Sequence, residues 1–304
     1  MTLDEAVCLF VQARTGEVAE STLGWYRARL KPLTRTFGER DIGSITTMDL
    51  YQWRAGLFAQ TSRYEDHPTR EPVNSRGPCI HTLHAHVRAA RELFGWAAEM
   101  GLIDENPMAP VKPPKLPKNA TPKAISEEDV TAILEAARDD LRDYALVLFL
   151  ENTGCRREGV VTLLVENVDT RTGRCYVTEK GQKTRAVFLR NDGREAVQAW
   201  LDEREEDSPY VFTSQLTGDR LTENGLNQVI KRLAKRAGVE GRCNPHSFRH
   251  RFARELTRNG AGLKVVADLM GHESVETTAR IYAVFGREEL AELYERYSPK
   301  REKK

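Results

Sequence analysis

No stretch of this chain is apolar for anything near the ~20 residues that a membrane-spanning helix needs, although 40% of its residues are hydrophobic. The first residues, MTLDEAVCLFVQAR, lack a basic region leading into a long apolar core, so no secretory leader is expected. Cysteine is sparse and scattered: Cys8, Cys79, Cys155, Cys175 and Cys243 number five, and no two have CxxC spacing. That argues against a disulfide framework or a zinc site and for thiols kept reduced in a cytoplasm. There is no GxxxxGK[ST] phosphate loop, no evident cluster of Asp and Glu to hold a divalent cation, and no internal repeat. No cofactor, metal or membrane partner is therefore expected. Neither sign of charge dominates, since the net charge is only +1.

What is present is charge in concentrated places. Between Lys231 and Arg258 stand nine bases and two acids, Glu240 and Glu255. The segment Val111 to Lys123 adds Lys112, Lys115, Lys118 and Lys123 with no acid. Such concentration suits a phosphate backbone, and a solvated face in a charge-rich protein is the plainer alternative.

The 304 residues are enough for two ordinary domains. The clearest divide is NPMAPVKPPKLPKNATPKAIS, whose six prolines cannot form a helix and read as an extended, semi-rigid linker. We expect a helical N-terminal domain over 1–110, a Lys/Pro-rich linker over 111–124, a larger domain over 125–290 and a tail over 291–304. The N-terminal part reads as a bundle of about four helices. The first carries Leu3, Val7, Phe10 and Val11 on one stripe; the second has Ser21 as its cap, and Pro32 is expected to kink or end it. In CIHTLHAHVRAAR, His81, His84 and His86 match no zinc pattern and read as a solvent- or DNA-facing helix start, with Arg88 and Arg91 following.

The C-terminal part is expected to be mostly helical with a small antiparallel sheet. Ser126 caps a helix. DYALVLFLENTG is a buried helix ended by Gly154, and GRCYVTEKGQKTRAVFL alternates, turns and alternates again as a hairpin. TENGLNQVIKRLAKRAG sets Leu226, Ile230, Leu233 and Ala237 against Lys231, Arg232, Lys235 and Arg236 on the opposite face. In NPHSFRHRFARELTRNG, Asn244 is a good cap and Pro245 a good first helical residue. His246 and Arg249, three apart, share a helix face close to an N-terminus that favours an anion. Arg156 follows Gly154 in a tight connection, which places its planar fork for two phosphate oxygens. LKVVADLMG closes at Gly271. His272 comes next, and Tyr282 ten residues later. Taken alone, that tyrosine reads as packing on a half-buried face.

In chain order these stretches, TGCRREGVVTL, EKGQKTRAVFL, PHSFRHRFARELTRNG and LMGHESVETTARIYA, resemble the catalytic set of the phage-integrase-type tyrosine recombinases, and the resemblance covers nearly the whole chain. It implies site-specific cleavage and rejoining of double-stranded DNA through a covalent 3′-phosphotyrosine. Arg156 and Arg249 would clamp the scissile phosphate, Tyr282 would attack it, Lys180 would protonate the departing 5′ oxygen, His246 would exchange the tyrosine proton and His272 would bond a non-bridging oxygen. Lys183 competes with Lys180 for the acid role. DNA contacts are expected from Lys231, Arg232, Lys235, Arg236, Lys112, Lys115, His84, Arg88 and Arg91. The tail, with Leu290, Leu293, Tyr294 and Tyr297 on one side of a short helix, would pack into a neighbouring protomer of a tetramer on DNA, or else on its own domain. A relaxing enzyme of type IB topoisomerase kind and a catalytically silent DNA-binding regulator are the alternatives; the separate N-terminal bundle disfavours the first and Tyr282 the second. One departure stands out: where the family has an acid three positions after the first arginine, this chain has Gly159, with Glu158 one place earlier. An altered support for Arg156 is the expected consequence.

Overall fold

The computed structural model describes residues 1–61, 77–117, 124–179, 181, 183–205, 207–272, 274–282 and 294, with the side chains of 277 and 280–282 excepted. The chain is mainly α-helical with one small sheet, and it divides into two compact units, Met1–Asn119 and Ala120–Lys304. Among the described residues no helix is long and apolar enough to cross a membrane.

In the first unit, α1 (Leu3–Ala13) starts at a capping box. The Thr2 hydroxyl accepts from the Glu5 amide, and the Glu5 carboxylate accepts from the Thr2 amide at 2.8 Å. Leu3, Ala6, Phe10 and Val11 are buried along one stripe. The next helix, α2 (Glu20–Phe37), departs from expectation twice. Its cap is Ala19, which leaves Ser21 inside the first turn, and the helix runs through Pro32 without ending. Leu33 and Phe37 lie beyond the proline and both are buried. Burying each contributes roughly 1.5–3 kcal/mol, against about 3 kcal/mol for an internal proline, so packing carries the helix onward.

The remaining α-helices among the described residues of this unit are α3 (Thr47–Ala59) and α4 (Ile80–Glu99). Leu83, Val87, Ala90, Leu93, Phe94 and Ala97 give α4 a buried face against α2 and α1. His86 sits on that face, buried, its Nδ1 donating to the Arg29 carbonyl at 2.7 Å. The reading of a solvent-facing histidine cluster is corrected at this position: the stripe continues through residue 86, and a neutral imidazole with a carbonyl partner fits a core. Burial pushes its pKa down, which keeps it neutral. Arg91 is engaged within its own unit. Its Nη1 donates to the carbonyls of Met108, Ala109 and Val111 at 2.8, 2.9 and 2.9 Å, so it holds the chain that follows α4. His84 holds the same chain further on, donating to the Pro114 carbonyl at 2.9 Å.

The second unit is built around α6 (Leu141–Thr153), whose residues from Ala145 to Leu150 are all buried. Such all-round burial is what an apolar run without an amphipathic period produces. Around it lie α5 (Glu127–Ala137), α8 (Asn191–Glu203) and α10 (Pro245–Arg258), while α9 (Glu223–Arg236) packs on α5 and on the short α7 (Arg157–Val161). Ser126 caps α5 by accepting from the Asp129 amide at 3.0 Å. The antiparallel sheet runs β1 (Val168–Asp169), β2 (Arg174–Glu179), β3 (Lys183–Phe188). The hairpin register pairs Cys175 with Val187, Val177 with Arg185 and Glu179 with Lys183. Two further helices follow among the described residues, α11 (Leu263–Met270) and α12 (Val275–Tyr282).

Candidate active site

The end of α11 gathers the charged groups. A helix terminus leaves its last carbonyls without partners and carries partial negative charge, so cations settle there. Three successive carbonyls are each taken by a different arginine. Arg185 Nη1 donates to Leu269 at 2.6 Å, Arg249 Nη2 to Met270 at 2.5 Å and Arg156 Nη2 to Gly271 at 3.0 Å. The donors come from β3, from α10 and from the turn before α7.

Each donor is placed by local structure. Gly154 ends α6 with φ +57°, and a Cβ there would lie 2.5 Å from the ring of Phe252, so the turn demands glycine twice over. Arg156 follows as the cap of α7, 34% exposed, and its backbone N–H donates to Glu179 Oε1 at 3.1 Å. Its Nη1 pairs with Glu179 Oε2. Helix α10 opens at a capping box between Asn244 and Ser247 with Pro245 first, which presents His246 at the exposed start and Arg249 one turn inward. Arg249 is buried and also donates to the Gly154 carbonyl at 2.8 Å.

The last turn of α11 is a Schellman closure: the His272 N–H donates to Ala267 at 2.9 Å and the Gly271 N–H to Asp268 at 3.1 Å. Gly271 has φ +63°, and a Cβ there would meet Arg185 at 2.7 Å. His272 is thereby fixed beside the three guanidiniums. Its Nδ1 shares a 2.7 Å hydrogen bond with the buried hydroxyl of Thr278 on α12. Ser274 starts α12 by accepting from the Glu276 amide at 3.0 Å. Tyr282 is the last described residue of that helix; its side chain lies outside the described residues, as do Lys180, residues 283–293 with Leu290 and Leu293, and residues 295–304 with Tyr297. Tyr294 is described and exposed.

The electrostatics follow. Burial, then the charges of Arg249 and Arg156, hold the His272 pKa down at about 4. His246 is lowered by burial and then by Arg157 and Arg249, and His250, stacked 6.4 Å from His246, is brought to about 4 by burial and by that neighbour. These imidazoles are neutral near pH 7 and can accept a proton. Burial works to raise the Glu179 pKa, but the hydrogen bond and charge of Arg185, joined by Arg156, outweigh it and keep the carboxylate ionised. One carboxylate among three guanidiniums leaves an anion-binding excess.

Arg156, Arg249 and His272 are thus brought together, with His246 at the start of the same helix as Arg249. Glu179, Arg185 and Thr278 were not read from the sequence. Strand alternation holds the signal for two of them: Cys175 and Val177 point inward on β2, so Glu179 does too, and on β3 the inward Val187 implies Arg185. An inward charge on each of two paired strands announces a buried ion pair.

The basic face of α9 is exposed at Lys231, Arg232, Lys235 and Arg236. Two of its four charges are engaged at home. Arg232 pairs with the buried Asp143, and Arg236 lies 3.2 Å from Asp139. In the first unit Lys112 and Lys115 are exposed, and Arg88 lies over the Trp25 ring at 5.6 Å.

The helix set and the three-stranded sheet that carry this arginine–histidine centre define a class, the phage-integrase fold. The sequence pattern of the phage integrase family matches residues 123–287, and the chain belongs to that family. It is 28% identical over 293 residues to a tyrosine recombinase, XerC, of Alcanivorax borkumensis, covering 93% of this chain and 89% of that protein. A XerC of Neisseria meningitidis serogroup C is 31% identical over 238 residues, covering 75% and 76%. Among solved structures, the Tn1549 transposon integrase in complex with a circular intermediate DNA has the same fold, with a TM-score of 0.74 at 19% identity over 98% of this chain and all of that one, 100%. The chain is a tyrosine recombinase by class.

Proposed function

We propose that the chain cleaves and rejoins double-stranded DNA at specific sites through a 3′-phosphotyrosine, with Arg156, Lys180, His246, Arg249, His272 and Tyr282 as its catalytic set. The observation that carries the reading is the convergence of Arg156 and Arg249, from two distant parts of the chain, on neighbouring carbonyls beside His272. A phosphodiester is anionic and repels a nucleophile. Two fixed guanidiniums offset that charge and stabilise the extra charge of the pentacoordinate transition state. The Tyr282 oxygen forms a bond to phosphorus as the bond to the 5′ oxygen breaks. The phenolic proton passes to His246, whose lowered pKa suits a base, and Lys180 supplies a proton to the leaving 5′ oxygen. His272, held through Nδ1 by Thr278, is oriented for a non-bridging oxygen. Attack by another strand's 5′ hydroxyl reverses these steps and reseals the DNA, so the bond energy is kept in the tyrosyl ester.

In this reading the first unit grips DNA with Lys112, Lys115 and Arg88, and α9 adds Lys231 and Lys235 from the second. Four copies assemble on DNA, with the tail over 291–304 seated in a neighbour. The XerA, XerH and lambda integrase structures support the fold; XerH is bound to a difH substrate and lambda integrase to a core site. The test uses nicked duplexes drawn from a randomised library. Wild type yields a detergent-stable protein–DNA adduct, and Tyr282→Phe yields none while still retarding DNA in a gel. Adduct formation by Tyr282→Phe removes that tyrosine as the nucleophile. Arg156→Ala retains binding and loses cleavage; normal cleavage by that variant removes Arg156 from the site.

A further inference from the structure

Arg156 caps α7, and Gly159 stands three residues on, at the third helical position. From that position an acidic side chain reaches back to the backbone N–H of the capping residue, which closes a capping box. Glycine cannot make that bond. The N–H of Arg156 is nonetheless satisfied, by Glu179 Oε1 at 3.1 Å from the end of β2. The same carboxylate pairs with the Arg156 guanidinium through Oε2 and receives Arg185 Nη2 at 3.1 Å. Glu179 is only 4% exposed, while Glu158 makes no hydrogen bond through its side chain among the described residues.

The space is shared as well as the bond. A Cβ built on Gly159 would lie 3.2 Å from Glu179 Cγ and 3.4 Å from its Oε1. The absent side chain at 159 is the room in which the Glu179 side chain runs. Gly159 has an ordinary helical backbone with no positive φ, so its glycine answers to Glu179 rather than to the turn.

We propose that Glu179 is the positioning residue for Arg156, an acid moved from the helix to the strand, and that Gly159 and Glu179 form a reciprocal pair in which either position can hold the carboxylate but not both. The carboxylate sets where the Arg156 fork points, and through Arg185 it ties the same fork to the end of α11. The phosphate meets a guanidinium held from behind. This rests on the reading of the site as a phosphate clamp.

The test is an exchange. Glu179→Gln, Glu179→Gly, Gly159→Glu and the double variant Gly159→Glu/Glu179→Gly, built from the last two single changes, are compared with wild type for adduct formation at saturating DNA, for DNA affinity by gel retardation and for melting temperature. Glu179→Gln is expected to slow cleavage on the order of 100-fold, the scale of a clamp displaced by about an ångström, with DNA affinity unchanged. Gly159→Glu is expected to fall in both cleavage and melting temperature, because two carboxylates then compete for one place. The double variant is expected to regain the melting temperature lost by either single change and to cleave within about tenfold of wild type, as a kept clamp geometry requires. Wild-type cleavage by Glu179→Gln overturns the proposal. So does a folded double variant that stays as slow as Glu179→Gln, or one whose melting temperature is the sum of two independent losses. If wild type forms no adduct, the phosphate-clamp reading is overturned, and the melting temperatures still decide whether Gly159 and Glu179 exchange.

Discussion

His272 is held from several sides: a Schellman turn behind it, Thr278 on Nδ1 and three guanidiniums alongside. Its pKa of about 4 has a consequence for stability. Above its ordinary value of 6.5, the ring is neutral in both the folded and unfolded chain and contributes nothing to the pH dependence. Between 6.5 and about 4 the unfolded chain takes up a proton that the folded chain refuses, so stability falls as the pH drops through that window. Urea unfolding at pH 7 and pH 5 is therefore expected to show a smaller loss in His272→Gln than in wild type. Equal losses would mean that burial and the arginines do not press on this ring. An anion seated against Arg156 and Arg249 works in the opposite direction and raises the pKa, so the imidazole signal of His272 should titrate at higher pH in the DNA complex. At the same scale, Gly271→Ala is expected to cost about 1–2 kcal/mol for the left-handed backbone alone, and more because its Cβ would meet Arg185 at 2.7 Å. Denaturant melts measure it directly, and a loss below about 1 kcal/mol would show that the turn relaxes.

At the level of elements, the helices and the hairpin were legible because their signals are local. Apolar period, caps at Ser126 and Asn244, glycine stops at 154 and 271, and strict alternation through Cys175, Val177 and Val187 each depend on neighbours in the chain. The candidate site was legible where residue type carries the chemistry, as with Arg156, Arg249 and His272. Its support was not. Glu179 reaches Arg156 across the hairpin, Arg185 reaches α11, and Pro32 stays helical because residues far off bury Leu33 and Phe37. Those are tertiary contacts, to which a single sequence gives no distance. The basic face of α9 shows the same limit. Four exposed cations look alike in sequence, yet Arg232 is tied to the buried Asp143, which also holds Arg142, and Lys231 and Lys235 are not so tied. The two kinds separate by experiment. Lys231→Ala and Lys235→Ala are each expected to lower the slope of log affinity against log salt by about 1 with little change in stability. Arg232→Ala is expected to cost about 1–3 kcal/mol of stability, the range for leaving a buried polar group short of a partner. A salt slope unmoved by both lysine changes would take α9 off the DNA.

On the scale of the whole molecule, the two units keep separate cores. One runs from Leu3 to Val111 and the other from Ile125 to Phe248, with no residue in common. Every described member of the proposed catalytic set, together with Glu179, Arg185 and Thr278, belongs to the second unit, while the first supplies none of them. On the proposed reading the first unit adds grip, and the second adds the chemistry together with the further contacts of α9. Phe94 and Phe149 are fully buried, one in each core. Truncating either to alanine costs about 3–5 kcal/mol in its own unit. Phe94→Ala is expected to weaken DNA retention while the cleavage rate at saturating DNA stays near wild type, because the arginines around α11 keep their places. Phe149→Ala lies in α6 just ahead of the Gly154 turn, so it is expected to lose cleavage at temperatures where the first unit is still folded. Calorimetry of the two variants beside wild type decides the matter: Phe94→Ala lowers one transition and Phe149→Ala the other. A single transition that moves equally in both would mean that the units fold as one, and the separation of grip from chemistry would then have to be given up.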